Sequence, residues 1–266
     1  MNAKTGASIN RKTQASPWLV NHSKASARMR LYCFSYAGGS ASNYASWHAD
    51  LDPAIEICAI ELPGRGSRFG EMPQSSLTIL TATLAKVIAA HVNLPFAFFG
   101  HSLGGLLSFE VARYLQQHYA ISPLHLFVSG ASAPQHRDTS KKLHLLEDAS
   151  LIEELKDYNG TPPEVLAHRE LMELLLPMIR ADFALVGDYE YRVMPLLEIP
   201  ITVLMGTEEA KVEDDKVNGW SKETSAECTI AWFEGDHFFI HPQRKAVLDC
   251  IRKELSPAVT AVVTAE

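Results

Sequence analysis

No run of about 18 uninterrupted apolar residues occurs in the 266-residue chain, so the sequence offers nothing of the length a membrane-crossing helix needs. The N-terminus lacks the apolar core of a secretory signal. Cysteine is scarce: Cys33, Cys58, Cys228 and Cys250 stand far apart, with no C-x-x-C pair and no metal-ligand spacing. Cys33 and Cys58 fall inside apolar, strand-like runs, which points to reduced, buried thiols and a cytoplasmic protein. Neither a G-x-G-x-x-G spacing nor a Walker lysine is present, which removes the usual phosphate cradles. Basic charge is short as well. The formal net charge is −7, and residues 1–30, with six Lys or Arg and no acid, leave the remainder at −13. So acidic a body is a poor partner for nucleic acid.

What is present is apolar material, 47% of the composition, in a length that α/β folds commonly keep as one domain. We expect a flexible basic leader over residues 1–16, a folded unit over 17–256 and a loose tail over 257–266. The segment Ser16-Pro17-Trp18-Leu19-Val20 can dock as an edge strand. Leu31 to Tyr36, Ile55 to Glu61, Phe96 to Phe99 and Leu124 to Ser129 read as buried strands. A helix marked by Leu77, Leu80, Leu84 and Ile88 and another beginning near Leu103 alternate with them. That order implies a mostly parallel sheet with helices on both faces.

Residues 135–199 break the alternation, with no strand and three helical stretches. Ser150 and Glu153 have the spacing of a capping box. Thr161-Pro162-Pro163-Glu164 starts a second helix with a proline in its first turn, and Leu171 to Phe183 crowd a third around Pro177. The region is richer in Leu and Met than a solvated cap requires. A lid over an apolar pocket accounts for this, with Met172, Leu176, Met178 and Phe183 as candidate acyl contacts; packing for stability alone is the alternative. The sheet then resumes at Ile201 to Met205 and at Cys228 to Phe233, and a last helix is expected from Gln243 to Leu255.

The segment FAFFGHSLGG supplies the chemistry. An apolar strand meets Gly100-His101-Ser102-Leu103-Gly104 and an amphipathic helix follows at once, the context in which G-x-S-x-G forms a nucleophile elbow. Ser102 is then the nucleophile. A serine hydroxyl needs a base and a group that orients the base. His237 follows the second late strand directly and is the candidate base. Glu209, on the turn after the first late strand, is the candidate acid, with Asp214 as the alternative; Asp236 is too near His237 in sequence to orient its ring. Nucleophile, acid and base in this order are those of an α/β-hydrolase. The glycine-rich loop Ala37 to Ser42 can supply an oxyanion donor, so the backbone N–H groups of Ala37 and Leu103 are the candidate pair. On the loop Leu62 to Arg68, Arg65 and Arg68 could meet a phosphate; solvated surface charge is the commoner role.

The segments LYCFSYAGGSAS, ELPGRGSR, PFAFFGHSLGG, GTPPEVL with LLLPMIRADF, and GDHFFI together resemble type II thioesterases of nonribosomal peptide and polyketide synthase clusters, over roughly residues 17–255. Leu103 stands where that family usually has Met, and Glu209 where it usually has Asp. The resemblance implies an external editing enzyme of antibiotic or siderophore biosynthesis. It would hydrolyse misprimed or stalled acyl and aminoacyl thioesters from the phosphopantetheine arm of carrier proteins, through an acyl-serine intermediate. It also implies transient contacts with acyl or peptidyl carrier domains and no cofactor of the enzyme's own; a monomer is the default expectation. A carboxylesterase or lipase-like hydrolase would use the same residues. A non-hydrolytic acyltransferase or carrier-binding protein is the reading of a different class.

Overall fold

The computed structural model describes residues 16–158, 160–209 and 214–264, and the backbone alone of residues 157, 214 and 261–264. The leader expected at 1–16 therefore lies, up to residue 15, outside the described residues.

Seven strands form one sheet: β1 (Leu19–His22), β2 (Met29–Phe34), β3 (Ile55–Ile60), β4 (Phe96–His101), β5 (Leu126–Ser129), β6 (Ile201–Gly206) and β7 (Cys228–Phe233). Their spatial order is β1-β3-β2-β4-β5-β6-β7. Only β1 is antiparallel to its neighbour, adding to the edge of β3 with Leu19 opposite Ile60, so the expected docking of the Ser16–Val20 segment is realised. Every other pair is parallel.

The helices are α1 (Trp47–Asp50), α2 (Leu77–His91), α3 (Leu103–Tyr119), α4 (Asp148–Tyr158), α5 (Pro163–Leu166), α6 (Arg169–Gly187), α7 (Asp214–Asn218) and α8 (Arg244–Thr264). Strand residues alternate between two buried layers, as a sheet covered on both faces requires. Tyr32, Phe34, Phe98, Val128 and Val203 face α2 and α3. Leu31, Cys33, Phe99, Phe127 and Leu204 face the other way, against Trp47 of α1 and Val247, Leu248 and Ile251 of α8. No thiol is paired: Cys33 and Cys58 are free and buried, and desolvation pushes the Cys33 thiol well up and Cys58 up to about 12. Both are inert at neutral pH.

Between β5 and β6 the insertion contains α4, α5 and α6, and its described residues hold no strand, only an isolated bridge from Leu197 to Thr224. These helices have a small core of their own, including Leu151, Leu155, Leu166, Met172 and Leu176. Two local expectations are corrected. Helix α4 starts at Asp148, so Ser150 lies inside its first turn instead of capping it; the Leu151 N–H already donates to Glu147 O. Helix α8 continues past Leu255 to Thr264. Pro257 forgoes one helical bond, but Ala258 and Val259 still pack on the core and the Ser256 and Thr260 hydroxyls bond back one turn. Among the described residues no helix is long and apolar enough to cross a membrane.

The chain reverses direction across the sheet at β2: it runs outward to β3, then returns past β2 to β4. Crevices outside the carboxyl ends of strands at such a switch point are the natural place for a ligand. The two loops that open there are those after β2 and β4.

Candidate active site

At the end of β4 the backbone turns sharply. Ser102 has φ 56 and ψ −112, a conformation L-residues adopt only when the surroundings impose it. The surroundings are close. A Cβ on Gly100 would lie 2.0 Å from Gly104 O, and one on Gly104 would lie 2.1 Å from Phe34 O, so both flanking glycines are required by contact. The Ser102 N–H donates to Ser129 O at 2.8 Å, tying the turn to β5. Helix α3 begins at Leu103; the N–H groups of its first turn have no carbonyl one turn back and carry the positive end of the helix dipole.

Because Gly104 presses on the end of β2, the next loop is brought alongside. Tyr36 to Gly39 form a turn closed by Gly39 N–H to Tyr36 O at 2.9 Å, with Gly38 at φ 77. Ala37 is the second residue of that turn, so its N–H is not used by the turn bond. The Ser35 hydroxyl donates to Ser40 O at 2.7 Å, and the Ser40 N–H donates to Asn43 Oδ1 at 2.7 Å. Glu61, at the end of β3, accepts the Ala41 N–H.

The candidate acid and base come from the neighbouring strand ends. Beyond β6 and β7 the pairing continues through Thr207 N–H to Phe233 O and Glu208 N–H to Gly235 O, and Gly206 is so near that a Cβ would lie 2.4 Å from Asp236 O. This interlocking delivers Glu209 to His237: Glu209 Oε1 lies 2.6 Å from His237 Nδ1, with both side chains largely buried. Asp236 spends its carboxylate on the Phe238 N–H at 2.8 Å. Asp214 heads α7, and its side chain lies outside the described residues. The His237 ring sits 4.9 Å, centroid to centroid, from that of His101, the residue before Ser102. Both rings border Gly130, where a Cβ would approach them to 2.7 and 3.1 Å.

His101 is fully buried, its Nδ1 2.9 Å from Ser129 Oγ. Desolvation, reinforced by His237 and His241, holds it well below the usual imidazole range, so it stays neutral. His241 lies three residues before α8 and meets Tyr36 Oη at 3.2 Å. Tyr36 packs edge-on to His101, Phe238 and His241, forming an aromatic wall beside His237 that periodicity could not reveal.

Among the acyl-contact candidates, Met172, Leu176 and Met178 are buried in the insertion's own core, and Phe183 packs against that core with its ring 5.8 Å from Tyr158. The insertion also touches the rim: Gly160 rests so closely on Phe238 that a Cβ would lie 2.4 Å from its ring, and Ile179 of α6 sits against Gly38. A separate cavity of about 470 Å³, bordered by Thr81, Glu110, Arg113, Tyr189 and Arg192, shares no residue with the elbow. Neither arginine of the Leu62–Arg68 loop is solvated or free for phosphate. Arg68 pairs with Glu71, donates to Glu61 O and lies over Trp18. Arg65 pairs with the buried Asp182.

A family model described as the thioesterase domain matches residues 29–255. The chain belongs to the thioesterase domain family. This thioesterase is 39% identical over 244 residues to the gramicidin S biosynthesis protein GrsT of Aneurinibacillus migulanus, covering 91% of this chain and 95% of that protein. Among solved structures it is similar to the type II thioesterase BorB from the borrelidin biosynthetic cluster, with a TM-score of 0.83 and 35% identity, covering 91% and 99% of the two chains. YbtT, a type II thioesterase from the yersiniabactin pathway, matches at TM-score 0.81 and 30% identity over 91% and 99%. The thioesterase family, the mostly parallel sheet and the resemblance to type II thioesterases expected from the sequence are thus all found.

Proposed function

We propose that this thioesterase hydrolyses misprimed or stalled acyl thioesters from the phosphopantetheine arm of carrier proteins in a nonribosomal peptide or polyketide pathway, through an acyl-Ser102 intermediate. The observation that carries the reading is the His237–Glu209 hydrogen bond of 2.6 Å on the same rim as the strained Ser102. The names of the relatives, GrsT, BorB and YbtT among them, support an editing or release role in such a pathway.

The Ser102 hydroxyl attacks the thioester carbonyl while His237 Nε2 takes its proton. Glu209 accepts the Nδ1 hydrogen and stabilises the imidazolium that forms. The N–H groups of Ala37 and Leu103 receive the developing oxyanion, an interaction worth on the order of 10²–10³ in rate per donor. Collapse expels the pantetheine thiolate, which takes the proton from His237. Water, deprotonated by His237, then attacks the acyl-serine ester, and collapse of that second intermediate returns the proton to Ser102. No metal, nucleotide or other cofactor enters this scheme.

Residues 135–199 act as the lid in this reading: Gly160 rests on Phe238 and Ile179 on Gly38, so the insertion reaches both loops that flank Ser102. Met172, Leu176, Met178 and Phe183 yield to an acyl chain by repacking. The carrier domain docks transiently outside, on a monomeric enzyme.

The test is thiol release from an acyl-pantetheinyl carrier protein. The wild type gives a burst of thiol and Ser102→Ala gives none. Oxygen esters cleaved as fast as the carrier-bound thioester would shift the reading to a general carboxylesterase. Acyl transfer to an added acceptor without hydrolysis would shift it to an acyltransferase.

A further inference from the structure

A buried carboxylate, Asp182, is held in the middle of α6 by three hydrogen bonds, and its partner Arg65 makes a fourth to the backbone. Arg65 Nη1 donates to Asp182 Oδ2 and Nη2 to Oδ1, each at 2.7 Å. The Gly38 N–H donates to Oδ2 at 2.8 Å. Arg65 Nη1 also donates to Gly39 O at 3.0 Å. Both side chains are buried, Arg65 at 5% and Asp182 at 1% exposure.

Such a pair is an expensive way to stabilise a fold, because desolvating two charges offsets most of their attraction, and apolar residues of similar volume often serve as well. What this pair adds is placement. It grips Gly38 and Gly39, the two residues directly after Ala37, one through its N–H and the other through its carbonyl. Gly38 is at φ 77, a position where a glycine turn is otherwise free to rearrange. An oxyanion donor contributes only when it is fixed before the charge develops. The chain is shaped to deliver Arg65: Gly66 is at φ 51 and a Cβ there would meet Glu61 Oε2 at 2.0 Å, and Glu61 in turn holds Ala41.

We propose that Asp182 and Arg65 are positioning residues for the hydrolysis: their pair locks the Tyr36–Gly39 turn so that the Ala37 N–H faces the oxyanion. The lock belongs partly to α6, so the seating of the helical insertion and the assembly of the oxyanion site are one event. This rests on the reading of Ser102 as nucleophile with Ala37 as an oxyanion donor.

The test compares two ligands on the folded full-length enzyme. An acyl trifluoromethyl ketone forms a tetrahedral adduct with Ser102 and needs the oxyanion site; a non-hydrolysable acyl-pantetheine thioether needs only the ground-state pocket. Asp182→Asn weakens ketone binding by at least about 10-fold and lowers kcat in step, while thioether affinity and KM stay within about twofold. A purely structural pair would leave both affinities unchanged or reduce both together, and either result overturns the proposal. Should Asp182→Asn fail to fold, the double variant Arg65→Met/Asp182→Leu, which strands no charge, is measured in the same way. A pair that neither variant can lose without unfolding is structural first, and that outcome also overturns the proposal. Wild type and Ser102→Ala separate the two levels: a ketone that binds both equally means the nucleophile reading itself has failed, whereas a wild-type preference for the ketone that survives Asp182→Asn sinks the positioning role alone.

Discussion

The proposal of Glu209 as the acid rests on a single contact, and it is open to a direct check. Glu209 Oε1 holds His237 Nδ1 at 2.6 Å, while its Oε2 is buried without a hydrogen-bond partner among the described residues. Glu209→Gln keeps the volume but can turn an N–H toward the imidazole, favouring the wrong tautomer; kcat for thioester hydrolysis is expected to fall on the order of 10³–10⁴. Asp214→Asn is expected to leave it near wild type, and steady-state rates on an acyl-carrier substrate distinguish the two. The glycines of the elbow, Ser102, and the strand-end position of His237 were legible because each follows from a local rule: close backbone approach, a strained turn, a loop after a strand. Asp182 and Arg65 were not. Lone charges on a helix and on a Gly/Pro loop read as solvated, and only the fold shows that residues 117 apart in sequence meet.

At the scale of elements, the insertion is a second packing unit. Its core joins Leu151 of α4, Leu166 of α5 and Met172, Leu176 and Ile179 of α6, separate from the two layers that cover the sheet. Leu151→Ala, at a fully buried position, is expected to cost about 2–5 kcal/mol, taken largely from this unit. Hydrogen exchange is the measurement: amides of α4 and α5 lose protection while those of β4 keep theirs, and uniform loss across both would show one cooperative core instead. Helix identity here was readable from apolar spacing and from the prolines of the Thr161–Glu164 segment. The boundaries were not, since tertiary contacts extend α8 through Pro257 and the chain entering α4 supplies Glu147 O where Ser150 was expected to cap.

For the whole molecule, the fold class followed from the alternation of strand and helix, and the switch at β2 explains why loops far apart in sequence share one rim. What no local pattern carries is the protonation of the interior. Burial pushes His125, which sits 2.8 Å from Thr202 Oγ1 and stacks on Phe127, down to about 4, and His101 is also held low. The unfolded chain takes up a proton on each near pH 6.5 and the folded chain does not, so stability is present above that pH and is lost as pH falls below it. The slope is about 1.4 kcal/mol per pH unit for each such histidine, continuing for His125 until about pH 4. Thermal midpoints recorded from pH 7 to pH 5 are expected to drop accordingly, and His125→Gln to flatten the curve by one histidine's share; a midpoint insensitive to pH over this range would contradict it.

The edge strand has a practical corollary. Just before β1, the ring of Trp18 lies 3.8 Å beneath the Arg68 guanidinium, and its carbonyl accepts the Glu61 N–H at 3.0 Å. Arg68 is three residues from Arg65, on the loop that grips the Tyr36–Gly39 turn. Trp47 and Trp220 are sealed in the core, and Trp232 is half exposed. In a Trp232→Phe background, therefore, the indole emission that responds to solvent comes from Trp18, and the protein carries a fluorescent gauge wired to the loop that presents Arg65.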